Sequence, residues 1–243
     1  MSGHSKWSNI KYKKEIADKK KAQVFSKLTR MITLAAKEGG QNPETNTKLQ
    51  QAIEKAKSFN LPNDNIKRAI EKATAKDAQA LENFLIEAFG PGQVAILIEG
   101  VTDNKKRTFT EIKNIIEKNN GKMGSGGSIK WLFEQKGLIE ILPEEQNEEF
   151  KKSENLEILA IESGAEDFFW KEGVFNIITE AKDLQKVFKN IQEKGVKIGD
   201  YNLAYIPKEK IKIEDRDIQN KLKNLFESLD ENEDVQNIYS NLE

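Results

Sequence analysis

Apolar residues at three- and four-residue spacing dominate the early part of this chain. Val24, Phe25, Leu28, Met31, Ile32 and Ala35 predict an amphipathic helix over Gln23 to Ala36, stopped by Gly39-Gly40. Leu49, Ala52, Ile53 and Ala56 form a second stripe that ends near Asn60. Pro62 opens a third helix carrying Ile66, Ala69, Ile70 and Ala73, since proline suits a first helical turn. Three such helices bury their stripes against one another. The lysine-rich 11–21 segment lies ahead of them, on an outer face or as a fourth helix. Lys72 to Ala80 has no apolar period and reads as a linker.

From residue 82 the pattern turns to mixed α/β. Val94 to Ile98 is a continuous apolar run of strand length, introduced by Gly90-Pro91-Gly92. Thr108 to Asn119 reads as a helix with Phe109, Ile112 and Ile116 on one stripe. A glycine-rich loop, Gly121 to Ser128, follows, and then Ile129, Trp131 and Phe133 alternate as a strand with one buried face. Gly137–Leu142 reads as a strand and the segment through Leu156, Leu159 and Ala160 to Gly164 as a helix. Strand Val174–Thr179, helix Asp183–Lys194 and strand Tyr201–Ile206 then complete a β-α-β-α-β unit. The tail adds a helix through Ile218, Leu222, Leu225, Phe226 and Leu229 and a strand at Val235–Tyr239.

The fold class expected is therefore α+β and multidomain: an N-terminal helical domain plus two α+β domains, one inserted into the other. The strand–helix–strand of 94–133 is too small to hold a core alone, and the tail supplies the elements it lacks. The boundaries are 1–77 for the basic helical domain, 82–134 plus 208–243 for a discontinuous middle domain, and 135–207 for the insertion. A continuous third domain running to the C-terminus is the alternative.

Charge changes this picture more than composition does. The chain of 243 residues is 37% hydrophobic and 33% charged, with a formal net charge of −1. Residues 1–77 hold 17 basic and 8 acidic side chains, however, and residues 78–243 hold 22 and 32. Such an asymmetry directs a polyanion to one end of the molecule. Within the first 30 residues nine cations (Lys6, Lys11, Lys13, Lys14, Lys19, Lys20, Lys21, Lys27, Arg30) face two acids, Glu15 and Asp18. Clustered cations bind phosphate backbones by counterion release, without reading sequence. Trp7 and Tyr12 lie among them, and either ring can stack on an exposed base.

Other chemistry is thinly provided. With no cysteine and one histidine, His4, the chain lacks disulfides, thiolate catalysis, Cys-ligated zinc and the makings of a histidine metal site. No apolar run approaches a membrane span, and no apolar segment follows the N-terminal charges as a secretory signal requires, so the expected location is cytoplasmic. The loop Lys122, Met123, Gly124, Ser125, Gly126, Gly127, Ser128 invites a phosphate-cradle reading. It lacks the order of a nucleotide-binding loop and precedes a strand instead of a helix. A plain connection and a functional loop touching RNA or protein both stay open. Asp230, Asn232 and Asp234 have calcium-loop spacing, but Val235 and Asn241 stand where glycine and glutamate are needed. Asp103-Asn104 before Lys105-Lys106-Arg107 reads as a polar strand-to-helix turn that can extend a basic surface. No acid–base pair or activated nucleophile is assembled, so no enzyme, cofactor, metal or small-molecule substrate is expected.

Gly3-His4-Ser5-Lys6-Trp7 with Asn9-Ile10-Lys11 closely resembles the N-terminal signature of the YebC/PmpR family, whose eukaryotic relatives include a mitochondrial translational activator of cytochrome oxidase. The resemblance continues in Ala35 to Gly40, Leu61 to Ile70, Gly90-Pro91-Gly92, Thr102-Asp103-Asn104 with Arg107-Thr108, Gly127-Ser128, Gly164 to Asp167 and Asp234 to Asn241. The chain departs from the family pattern at Tyr12, Asn42, Thr47 and Ala73, and in the glycine richness of the 124–127 loop. The resemblance implies three domains, with the two α+β domains ferredoxin-like. It also implies a probable DNA-binding transcriptional regulator or, alternatively, a ribosome-associated translation factor that binds ribosomal RNA and assists synthesis of proline-rich stretches. In the second case Lys122–Ser128 would act by contact in a functional centre. Nucleic acid is the expected partner, with no membrane.

Overall fold

The computed structural model describes residues 18–73 and 81–243. These divide between two compact units, residues 18–73, 81–132 and 209–243 in one and Phe133–Lys208 in the other.

Three helices open the first unit: α1 (Asp18–Gly39), α2 (Thr47–Ser58) and α3 (Asn63–Lys72). Leu28, Ile32, Ala36, Leu49, Ala52, Ala56, Ile66 and Ala69 close their common core. The turn between α1 and α2 is fixed by Asn46. Its carboxamide donates to the Ala35 and Gly40 carbonyls at 2.8 and 2.7 Å and accepts from the Leu49 N–H at 3.1 Å. One buried side chain thus satisfies groups at the end of one helix and the start of the next.

The rest of this unit is an antiparallel sheet of β1 (Glu82–Phe89), β2 (Ala95–Thr102), β3 (Lys122–Met123) and β8 (Val235–Ser240), in the order β3-β1-β2-β8. Helices α4 (Lys105–Lys118) and α7 (Arg216–Asp230) pack on one face. Ile112, Ile116, Leu222, Leu225 and Leu229 there meet Ile86, Ala88, Ile96 and Ile98. The tail strand pairs directly with β2, Ile238 opposite Ile98. Strand β1 was not anticipated in the sequence, although Phe84, Ile86 and Ala88 carry its alternation.

The second unit is a sheet of β4 (Phe133–Ile141), β5 (Asp167–Lys171), β6 (Val174–Glu180) and β7 (Ile198–Pro207), in the order β5-β6-β4-β7 and again antiparallel. It is backed by α5 (Ser153–Ser163) and α6 (Leu184–Glu193). Strand β5 was also missed by the pattern. It turns into β6 through Glu172 and Gly173, at φ 48° and 81°, a two-residue hairpin that suits strand twist.

One expectation is corrected outright. Ile129, Trp131 and Phe133 do not share a strand: Lys130–Leu132 is a single 3-10 turn, β4 begins at Phe133, and Trp131 is 64% exposed. The cause is a carboxylate on β1, described next.

Candidate nucleic-acid interface

Glu87 is almost fully buried on β1 and reaches the glycine-rich loop. Its two oxygens accept the backbone N–H groups of Gly127, Ile129 and Lys130 at 2.5, 2.6 and 2.9 Å. Burial alone would raise its pKa. The three N–H bonds and the Lys130 charge outweigh that and hold it below the ordinary value. The loop does contain converging amides of the kind that cradle phosphate, but the protein's own carboxylate fills them. A phosphate cradle at this loop is therefore excluded by occupancy. The bond to Ile129 and Lys130 turns the chain before β4 starts, which is why Trp131 leaves the strand register. Its indole N–H donates to the Ser128 carbonyl at 2.9 Å.

Asp234, at the start of the tail match, is the second buried anion, its side chain 3% exposed. Arg30 from α1 donates to one oxygen. The other accepts from Arg107 Nη2 at 2.7 Å, Thr108 Oγ1 at 2.5 Å and Thr102 Oγ1 at 3.3 Å. Burial pushes the carboxyl upward, but Thr108, Arg107 and Arg30 together hold it below its usual range. Asp234 in turn raises the pKa of Arg107. Asn104 caps α4, accepting from the Arg107 N–H at 3.1 Å. This cluster is a structural clamp between α1, the β2–α4 turn and β8, with its anion saturated by donors. Among the described residues no group of His, Cys, Asp and Glu is arranged to hold a metal ion.

The exposed cations of the helical part have a different setting. Lys21 stands 5.7 Å above the Phe25 ring. Lys37, Lys57, Lys67, Arg68 and Lys72 are exposed, and none has an ion-pair partner among the described residues. They are the cations α1 to α3 offer to an outside anion.

Matches to two domain families cover nearly the whole chain. Residues 5–76 match the TACO1/YebC protein N-terminal domain and residues 81–242 match the TACO1/YebC second and third domain. The chain belongs to the TACO1/YebC family. It is 46% identical over 244 residues to a probable transcriptional regulatory protein of Caldanaerobacter subterraneus subsp. tengcongensis, covering 100% of this chain and 98% of that one. A protein of the same description from Thermoanaerobacter pseudethanolicus is 45% identical, with 100% and 97% covered. The crystal structure of a conserved hypothetical protein from Aquifex aeolicus superposes with a TM-score of 0.89 at 38% identity, covering 98% and 97% of the two chains. These names point to a regulatory family and not to an enzyme.

Placed on this TACO1/YebC chain, the basic residues singled out in the sequence separate. Lys6, Trp7, Lys11, Tyr12, Lys13 and Lys14 lie outside the described residues. Lys19 and Lys20 fall in the first turn of α1. Lys27 and Arg30 turn inward. The Lys27 side chain is 5% exposed, with its ammonium donating to the Asp230 carbonyl at 2.7 Å and lying 3.6 Å from the Asp230 carboxylate. Arg30 meets Glu233 as well as Asp234. Both serve the clamp between α1 and the β8 corner. Both fall beside the buried Leu28 stripe of the amphipathic helix, which carries them inward. Sequence reasoning passed over Lys37, Lys57, Lys67, Arg68 and Lys72 because no run of lysines draws attention to them. It passed over Glu87 because a single acid in a strand carries no signal for a partner some 40 residues later.

Proposed function

We propose that this chain is a non-enzymatic regulator of gene expression that grips nucleic acid by its phosphate backbone through the basic helical end, acting in the cytoplasm. The observation that carries this is the charge split together with the unpaired exposed cations of α1 to α3. DNA is the first target to test, since the similar proteins are described as probable transcriptional regulators. A second reading, a ribosome-associated translation factor on ribosomal RNA, is favoured by one feature. The cations are mostly lysines, which neutralise backbones, whereas a sequence-reading helix needs Arg, Asn or Gln on base edges.

Changing Lys13, Lys14, Lys20 and Lys21 together to Glu is expected to weaken binding and flatten its dependence on salt. Unchanged affinity and slope would remove the basic segment from the reading. Crosslinking in cells, with RNA and DNA recovered from the same sample, separates the two targets. Reads on ribosomal RNA lost in the Lys-to-Glu variant support the translation factor. Reads on discrete promoter segments support the transcriptional regulator.

A further inference from the structure

The stretch from Lys118 to Phe133 holds three lysines, Lys118, Lys122 and Lys130, and no acid, within a part of the chain that is otherwise strongly acidic. It is also the part that the Glu87 carboxylate immobilises from beneath. Trp131 stands at its end, 64% exposed, one of the most exposed large apolar side chains among the described residues. An indole left in water at that exposure forgoes most of its burial free energy. Its N–H bond to Ser128 fixes the edge of the indole to the loop while most of the ring stays in solvent.

An open depression of about 560 Å³ adjoins the same loop, with Phe89 and Met123 as apolar walls and Gln93, Asn120, Lys122 and Ser128 as polar ones. Among the described residues no acidic side chain lines it. Ser128 Oγ is buried there without a hydrogen-bond partner. Gln93 and Asn120 both hold φ near 60°, so their carboxamides are carried by a backbone that side chains seldom adopt.

From these features we infer that the loop is a second nucleic-acid contact, at which an unpaired base stacks on Trp131 while Lys122 and Lys130 meet the adjoining phosphates. An unpaired base is the occupant because the site joins a flat exposed ring to positive charge. Base–aromatic stacking beside cations is how single strands are held without sequence reading. A duplex hides its base faces and gains nothing from the ring. The inference rests on the nucleic-acid reading above and names where a single-stranded portion of that ligand sits.

The test measures the affinity of the full chain for a 12-nucleotide RNA strand, a DNA strand of the same sequence and the corresponding duplex. Wild type, Trp131→Ala and Trp131→Phe are compared. Trp131→Ala is expected to bind the single strands roughly tenfold more weakly and the duplex as wild type does, with Trp131→Phe recovering most of the loss. Loss on RNA alone assigns the site to RNA; loss on both strands assigns it to any unpaired base. Unchanged single-strand affinity in Trp131→Ala, or an equal loss on the duplex, overturns the inference and leaves the basic helical end as the sole grip. Wild-type protein that binds none of the three overturns the nucleic-acid reading itself. A 5-iodouridine-bearing RNA strand crosslinked by light and recovered on the peptide containing Trp131 would be the independent positive.

Discussion

The two sheets of this protein share a plan of four antiparallel strands and two covering helices, yet their most connected charges are placed differently. In the first, Asp234 and Glu87 are buried carboxylates, and each gathers donors from beyond its own strand. In the second, the most connected charge is Lys136 on β4, whose ammonium meets the exposed carboxylates of Glu166 and Glu180. These carboxylates hold the Lys136 ammonium strongly protonated, and Lys136 in turn holds Glu180 below its ordinary pKa. The difference teaches that layer architecture does not decide where a fold invests polar energy. In the first sheet buried anions tie separate segments together and shape a loop. In the second, apolar packing of Ile139, Phe175, Ile177, Leu156 and Ile191 carries the core around a buried Glu140 on β4, and the Lys136 cluster lies nearer the surface.

The largest break in that comparison comes from Asp234→Ala. Removing the anion takes the charge-assisted bonds of Arg30, Arg107 and Thr108 away at once. Both arginines, 22% and 42% exposed, keep Glu233, Asp103 and Glu111 as partners. The loss is expected to cost about 3 kcal/mol. Urea unfolding at pH 7 would measure it. The pH dependence follows from the lowered pKa of Asp234. A carboxyl held below its unfolded value of about 4 contributes stability that is complete above that pH and is lost as pH falls through the lower folded value. The gap between wild type and Asp234→Ala should therefore narrow towards pH 3. A gap constant from pH 7 to pH 3 would deny the anion its role.

Glu87→Gln comes next, at about 2 kcal/mol, because a carboxamide offers one acceptor where three N–H groups are waiting. Hydrogen exchange at Gly127, Ile129 and Lys130 should quicken in that variant. The second sheet is probed by packing instead. A Cβ on Gly137 would lie 2.2 Å from Thr179 Oγ1 and 2.8 Å from Leu184 Cβ. Gly137→Ala should therefore cost about 1.5 kcal/mol by overpacking, with no dependence on pH, read as a lowered Tm.

What could be read from the sequence divides along the same line. Apolar periodicity is a local property, so helices α1 to α7 and strands β2, β4, β6, β7 and β8 were legible from Leu28 and Ile32, Ile112 and Ile116, Leu156 and Leu159, Val187 and Ile191, or the run at Val94–Ile98. Strands β1 and β5 were not. In Glu82–Phe89 the apolar Leu85 and Phe89 blur the alternation of Phe84, Ile86 and Ala88, and Asp167–Lys171 is a short edge whose aromatic run Phe168-Phe169-Trp170 has no period. The clamp was half visible. Thr102, Asn104, Arg107, Thr108 and Asp234 all stood out as family-like residues, but that they converge on one carboxylate is a matter of topology, with 126 residues separating Thr108 from Asp234. The same long-range pairing turned Lys27 and Arg30 from candidate phosphate ligands into clamp residues.

The smallest effect is expected at Lys136, and it is the one that sharpens the comparison most. Its side chain is 13% exposed, while Glu134, Glu166 and Glu180 around it are 53%, 42% and 52% exposed. Water already solvates those carboxylates, so removing the cation leaves no buried charge behind. A Met in its place would keep the packing of the aliphatic stem. Lys136→Met should change stability by no more than about 0.5 kcal/mol at pH 7, and added salt should shrink even that. The like-charged carboxylates left behind repel one another only while ionised. Acidification towards pH 4 should therefore narrow the small gap between wild type and variant, in the same direction as for Asp234 but by a fraction of its size. Urea titrations of both proteins at pH 7 and pH 4 would check this. A loss comparable to that of Asp234→Ala would mean that the second sheet also depends on a charge, and the contrast between the two sheets would fail.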